Sequence, residues 1–334
     1  MSMFDSLKRN LFTITPEEAS FQRREFKCDD ERVRLHLEEV LRVFISGYNL
    51  TLRIPDHEQL VKRFETDFDK HQIGFAMEGA GMCCALFDLV APRRTSRLRE
   101  FTEAEGRDHD YIATVGAGLA VARLPYGLRV MDRYTKRLDP MLAWCVIDGY
   151  GFHQGIFHHP LFVKECKDPP PSLAGYARLL FDSGLGRSLW WVMGASPKRI
   201  TVAIDNFPEA RRAEMWHGVG VGSSYAGGVE EEVLLELLEL SGAYRADFRS
   251  GVTYAARMRQ KGGNPSPATD LACKLLLQTT VDDAANLAVR CFREIADAWT
   301  GSPREMGTCG YVLVRQRLTR ELQLWDIEKP LTFH

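Results

Sequence analysis

The sequence lacks the signatures of most familiar chemistries. None of its eight cysteines forms a CxxC pair. Cys83 and Cys84 are adjacent, and Cys145, Cys273 and Cys291 sit in apolar helical text. That usage points to reduced, buried thiols of a cytosolic protein, not to a disulfide framework or a zinc site. The net charge is −2 with both signs interspersed. Without a basic stripe, binding to nucleic acid by phosphate neutralisation is not expected. No uninterrupted apolar run reaches the roughly 20 residues that a membrane span requires. The first residues, MSMFDSLKRNLF, hold no apolar core of signal-peptide length. A soluble, cytoplasmic protein with no membrane partner is expected.

Catalytic loops are missing too. There is no GxSxG nucleophile elbow. GVGVGS at 218–223 and VGAGLA at 115–120 lie in helical text, and no Lys-Ser/Thr follows, so neither reads as a phosphate loop. His153, His158 and His159 do not have the i, i+4 spacing of a zinc helix. No metal and no cofactor are expected.

What the chain does have is a recurring glycine. Gly47, Gly79, Gly116, Gly149, Gly184, Gly218 and Gly251 are separated by 32, 37, 33, 35, 34 and 33 residues. The surrounding text recurs as EGAG, VGAG, DGYG, SGLG and HGVG. Each glycine lies in an apolar stretch of helical length, and shorter amphipathic stretches alternate with these. A period near 34 residues signals stacked helix pairs. Four residues after each glycine a small or slender side chain usually follows, giving a small-xxx-small strip for close helix packing. Glycine inside a helix costs about 1 kcal/mol, so its recurrence points to tight packing.

The expected fold is all-α: an αα-repeat, solenoid-like array of about seven units over residues 31–300, preceded by an N-terminal extension at 1–30. Residues 301–334 are expected to form a small β-hairpin and tail, because YVLVRQRL (311–318) and ELQLWDI (321–327) alternate apolar and polar residues.

Residues that break the pattern become candidates. Immediately before the glycines stand Ser46, Glu78, Val115, Asp148, Ser183, His217 and Ser250. Equivalent positions face one side, so Glu78, Asp148 and His217 should share a surface. Four residues after the glycine, His153 replaces the usual small side chain and either wedges two helices apart or points into a cavity. The next unit carries Tyr176, Arg178, Asp182, Arg187 and Trp190. Arginine forks polarise ligand carbonyls, and aromatic walls suit flat ligands. The same residues equally describe internal salt bridges and core. The candidate catalytic set is Asp148, His153, Glu78 and Arg187. The candidate substrate-binding set is Tyr150, Tyr176, Arg178, Asp182, Trp190 and His217.

At these residues the chain resembles a known family. The runs GFAMEGAGMCCALFDL (74–89), VGAGLAVARLP (115–125), DPMLAWCVIDGYGFHQGIFH (139–158), GYARLLFDSGLGRSLWW (175–191), FPEARRAEMWHGVGVGSSYAGG (207–228) and GNPSPATDLAC (263–273) are similar to a bacterial domain-of-unknown-function family of enediyne antibiotic gene clusters. The resemblance covers about residues 10–300. It implies a role in enediyne biosynthesis, where members often occur as paired copies. In clusters for anthraquinone-fused enediynes such as the tiancimycins it implies late carbon–carbon bond formation between the two halves. A paired homologue or a homodimer is then a partner to look for. Two readings stay open at this point. One is a cofactor-independent enzyme performing Michael-type addition, with Asp148, Glu78 or His153 as base and Arg187, Arg178, Tyr176 or Tyr150 as donors. The other is a protein that binds, sequesters or scaffolds a polycyclic intermediate.

Overall fold

The computed structural model describes residues 12–92, 94–300 and 310–328. The regular structure among these residues is entirely helical, with no strand. Seven long helices carry the recurring glycines: α1 (Glu31–Arg53), α2 (Ile73–Val90), α3 (Asp110–Arg123), α4 (Cys145–Phe157), α5 (Tyr176–Val192), α6 (Glu209–Tyr225) and α7 (Arg245–Lys261). Two more follow, α8 (Val281–Ala298) and α9 (Tyr311–Glu328). Short connecting helices lie between several of the long ones, among them His57–Asp67, Pro197–Asp205 and Glu231–Leu240. Local chemistry sets several starts. Asp30 caps α1 by accepting from the Arg32 and Val33 amides, and Ser196, followed by Pro197, caps its helix through the Arg199 amide.

Each long helix from α1 to α7 packs on the next, and α8 continues the row onto α7. The glycines set the spacing, and they do so in pairs two residues apart. Gly79, Gly116, Gly149, Gly184 and Gly218 meet the preceding helix, whereas Gly81, Gly118, Gly151, Gly186 and Gly220 meet the following one. The end helices need a single glycine each: Gly47 faces α2 and Gly251 faces α6. A Cβ added at any of these positions would lie 1.9–2.3 Å from a backbone oxygen of the neighbour. Two residues turn a helix by about 200°, so a GxG pair opens opposite flanks. The strip expected four residues after each glycine is therefore not the packing device.

The row curls back on itself. His36 on α1 hydrogen-bonds the Ala226 carbonyl at 2.8 Å, and the Trp191 indole on α5 donates to the Leu37 carbonyl at 3.3 Å. Phe75 on α2 meets Tyr225 on α6 edge-on at 5.2 Å, and Lys261 at the end of α7 pairs with Asp110 at the start of α3. The stretch before α1 is tied down by the Phe21 amide donating to Glu38 at 2.9 Å and by a paired exchange between Ile14 and Asn49.

The C-terminal hairpin is overturned: residues 311–328 form helix α9. The alternating text there also places Tyr311, Val314, Leu318 and Leu322 on one helical stripe, and all four are buried. The expected turn at Thr319–Arg320 contains no Gly, Pro or Asn to break the helix, and Arg317 pairs with Glu321 one turn on. The rest of the expected tail lies outside the described residues. The segment Lys70–Val90, which includes α2, is long and apolar enough to cross a membrane, but 78% of its apolar 18-residue stretch is buried inside the protein.

Candidate functional site

The curled row encloses a cavity to which every helix from α1 to α7 contributes, together with α9. Counted from the first glycine of a helix, its wall is drawn chiefly from positions −4, −1, +3 and +7, which form one helical stripe. Position −1 supplies Glu78, Val115, Asp148, Ser183 and His217; position +3 supplies Met82, Leu119, Phe152, Arg187, Val221 and Tyr254. Along α3 the lining runs from Tyr111 to Arg123, about 18 Å of helix. The cavity amounts to about 100 Å³, drawn out along that length. The lumen is long and narrow, and its walls are largely apolar.

A belt of ionisable groups interrupts the apolar wall. Arg187 donates to Asp148 at 2.8 Å and reaches Glu78 at 3.5 Å, and all three are at least nine-tenths buried. Its guanidinium lies 4.2 Å from the centre of the Phe152 ring. Asp148 also accepts from the Ser183 hydroxyl at 2.9 Å, so it is doubly held. Glu78 has only the long contact. Burial outweighs Arg187 there and pushes the Glu78 carboxyl up to about 7. A carboxyl poised near neutrality, beside a fixed guanidinium, is the arrangement that acid–base catalysis uses.

A second chain of polar contacts enters from the opposite wall. The Ser250 hydroxyl donates to the Asp247 carbonyl, so it accepts from His217 Nδ1 at 2.7 Å. That leaves His217 Nε2 as acceptor, and the Tyr311 hydroxyl donates to it at 2.9 Å. Burial holds His217 far below and Tyr311 far above their ordinary values, so both are neutral. Ser183 also lies beside Tyr311, which brings this chain next to Asp148. Tyr311 stacks on Trp144 with ring centres 3.6 Å apart. Its helix is anchored by Arg315, which pairs with Glu214 on α6 and with Asp247 on α7.

The candidates thus divide. Glu78, Asp148 and Arg187 come together, and His217 faces the same cavity from the Tyr311 side. His153 lines the lumen, but its charged neighbours are Arg123, His158 and Arg24, not the carboxylates. Position −1 and position +4 are about 140° apart on a helix, which explains the separation. The remaining substrate-binding candidates do not line the cavity. Tyr150 packs on Phe181, Tyr176 is exposed, and Arg178 pairs with Asp168 at the surface. Asp182 is a fully buried partner of Arg211, and Trp190 is core, its indole donating to the Gly227 carbonyl at 3.0 Å. Tyr311 escaped the sequence reading because its segment had been assigned to a strand. Arg187 stands out most clearly at position +3, where the other lining residues are Met, Leu, Phe, Val and Tyr. Among the described residues no group of three or more His, Cys, Asp or Glu is placed to hold a metal ion.

The buried carboxyl makes a testable statement about stability. Glu78 holds its proton up to about 7 when folded, against 4.5 ordinarily. Between those values the folded state binds more protons than the unfolded chain, so its contribution to stability falls as pH rises, by about 3 kcal/mol in all. Glu78→Gln should therefore unfold at higher urea than wild type at pH 8 and match it near pH 4.5. An equal offset at both pH values would show that Glu78 is not the group responsible.

The architecture defines a class: an all-helical protein whose glycine-spaced helices surround a narrow apolar lumen with a buried ionisable belt. The chain belongs to the family described as Protein of unknown function (DUF1702), whose profile matches residues 3–322. No curated protein matches the chain. No solved structure matches it either.

Proposed function

We propose that this protein is a cofactor-independent tailoring enzyme of enediyne natural-product biosynthesis that forms a carbon–carbon bond by acid–base chemistry inside its lumen. The observation that carries the enzymatic reading is the convergence of Glu78, Asp148 and Arg187 in the wall of an enclosed apolar cavity. The enediyne setting rests on the resemblance of the motifs quoted above. The helical row is read as an αα-repeat bent around the substrate.

In a Michael-type addition the Glu78 carboxylate removes a proton from carbon next to a carbonyl. The resulting enolate attacks the conjugated acceptor, and the new bond leaves an enolate on the acceptor side. Arg187 is the donor positioned to stabilise negative oxygen, and Glu78 returns the proton. Atoms balance without any co-reactant, so an intramolecular product is an isomer of its precursor. Asp148, already bonded by Arg187 and Ser183, orients the guanidinium.

The test is mass spectrometry of extract from a producer strain lacking this gene, incubated with purified protein and no added cofactor. Conversion of an accumulated intermediate to a species of equal mass is expected, and Glu78→Gln should slow it by about 10²–10⁴. The narrow lumen and the neutralised Arg187–Asp148 pair favour a second reading, a binding or sequestration protein. A ligand retained unchanged by wild type would establish that reading in place of the enzyme. Neither conversion nor retention would overturn both.

A further inference from the structure

One end of the lumen carries a second polar group that the acid–base belt does not use. It is organised around the Phe157 ring at the end of α4. His153 stacks on that ring at 4.3 Å, the Arg24 guanidinium lies 4.1 Å from its centre and that of Arg123 lies at 5.9 Å. His153, Arg24, Arg123 and Phe157 all line the cavity. His153 is 4% exposed, and its Nδ1 is buried with no hydrogen-bond partner. An orphaned buried polar atom is costly and calls for a polar partner. Arg123 is exposed, so the lumen meets solvent here, and among the described residues it has no carboxylate partner. Glu18, the one acid on the cavity wall at this end, is shared between Arg23 and Arg24. Charge in the mouth is therefore positive. Burial and the nearby Arg123, His158 and Arg24 hold the His153 imidazole down to about 3, so it remains neutral and free to hydrogen-bond. The short helix that ends at Arg24 (Phe21–Arg24) is fixed by His159, whose Nε2 bonds the Arg24 carbonyl at 3.1 Å.

We infer that this mouth binds the carboxylate head of an elongated apolar ligand, whose slender or flat body extends down the lumen past Phe152 towards the Glu78–Arg187–Asp148 belt. Guanidinium groups recognise carboxylates by charge-assisted, often bidentate hydrogen bonds. The length and narrowness of the lumen define the body of the ligand, and the mouth defines its end. The inference rests on reading the lumen as a ligand site and names the class of ligand that enters it.

The probe is cis-parinaric acid, a conjugated long-chain carboxylic acid that accepts excitation energy from tryptophan. Trp144 and Trp191 both line the lumen and report on its occupancy. The acid should bind at least tenfold more tightly than its methyl ester, the difference that one charge-assisted contact makes. Arg123→Glu, at an exposed position that folding tolerates, should weaken the acid about tenfold and leave the ester unchanged. His153→Phe, which keeps the stack on Phe157, should weaken the acid several-fold in the same selective way. If acid and ester bind equally and neither variant changes that, the head-group assignment is wrong while the lumen stands as a ligand site. If neither compound binds, the lumen reading falls with it.

Discussion

Gly149→Ala is expected to cost more than about 4 kcal/mol, enough to leave the protein insoluble or unfolded. The added methyl would lie 1.9 Å from the Val115 carbonyl oxygen and 3.1 Å from the Gly118 Cα. Both obstacles are backbone, so no rotamer change relieves them; α3 and α4 would have to separate, and with them the wall of the lumen. In a typical core, side chains give way and overpacking costs about 1–3 kcal/mol. Gly242→Ala is the matched control. Its φ is +50° and nothing lies within 4 Å of the added atom, so it should lose only the 1–2 kcal/mol of a left-handed alanine. Urea unfolding of the two variants separates helix spacing from backbone strain. Equal losses would mean that glycine contact is not what sets the row.

The second large effect concerns Arg187. Arg187→Met should destabilise the protein by about 3–5 kcal/mol at pH 8, because Asp148 and Glu78 would remain buried without their cation. Near pH 5 the Glu78 share of that loss should disappear, since Glu78 is protonated there without charge cost. Combining Arg187→Met with Glu78→Gln and Asp148→Asn should restore most of the stability. Should the triple variant prove as fragile as the single one at pH 8, the loss would lie in packing against Phe152 and not in stranded charge.

Much of this was legible in the sequence because glycine leaves no alternative. A residue that costs a helix stability persists at a fixed period only where backbones touch, and that period placed Glu78, Asp148 and His217 in one register. The finer geometry was not legible. Comparing residues four after each glycine drew attention to His153, whereas the lumen stripe continues at three after, where Arg187 sits. Asp182 and Arg178 looked equivalent to Arg187 as charges on the same helix, but a helix has several faces, and theirs turn to Arg211 and Asp168. Residues 311–318 alternate well enough for a strand, and only the packing of Tyr311 and Leu318 on neighbouring helices resolves the ambiguity in favour of helix. Tyr311 joins the site from the far end of the chain, a placement that no local pattern encodes.

Backbone-to-backbone contact at each step along the row from α1 to α7 has a kinetic consequence. A wall built with a compressible layer of leucines between its helices can part briefly and let a guest slip out sideways. Where carbonyls rest against glycines there is no such layer to yield, so traffic is left to the ends of the bore and to the side-chain seam where the row closes. Residence time of a guest then depends on a handful of side chains around Phe157, and exchanging them should alter how fast it leaves.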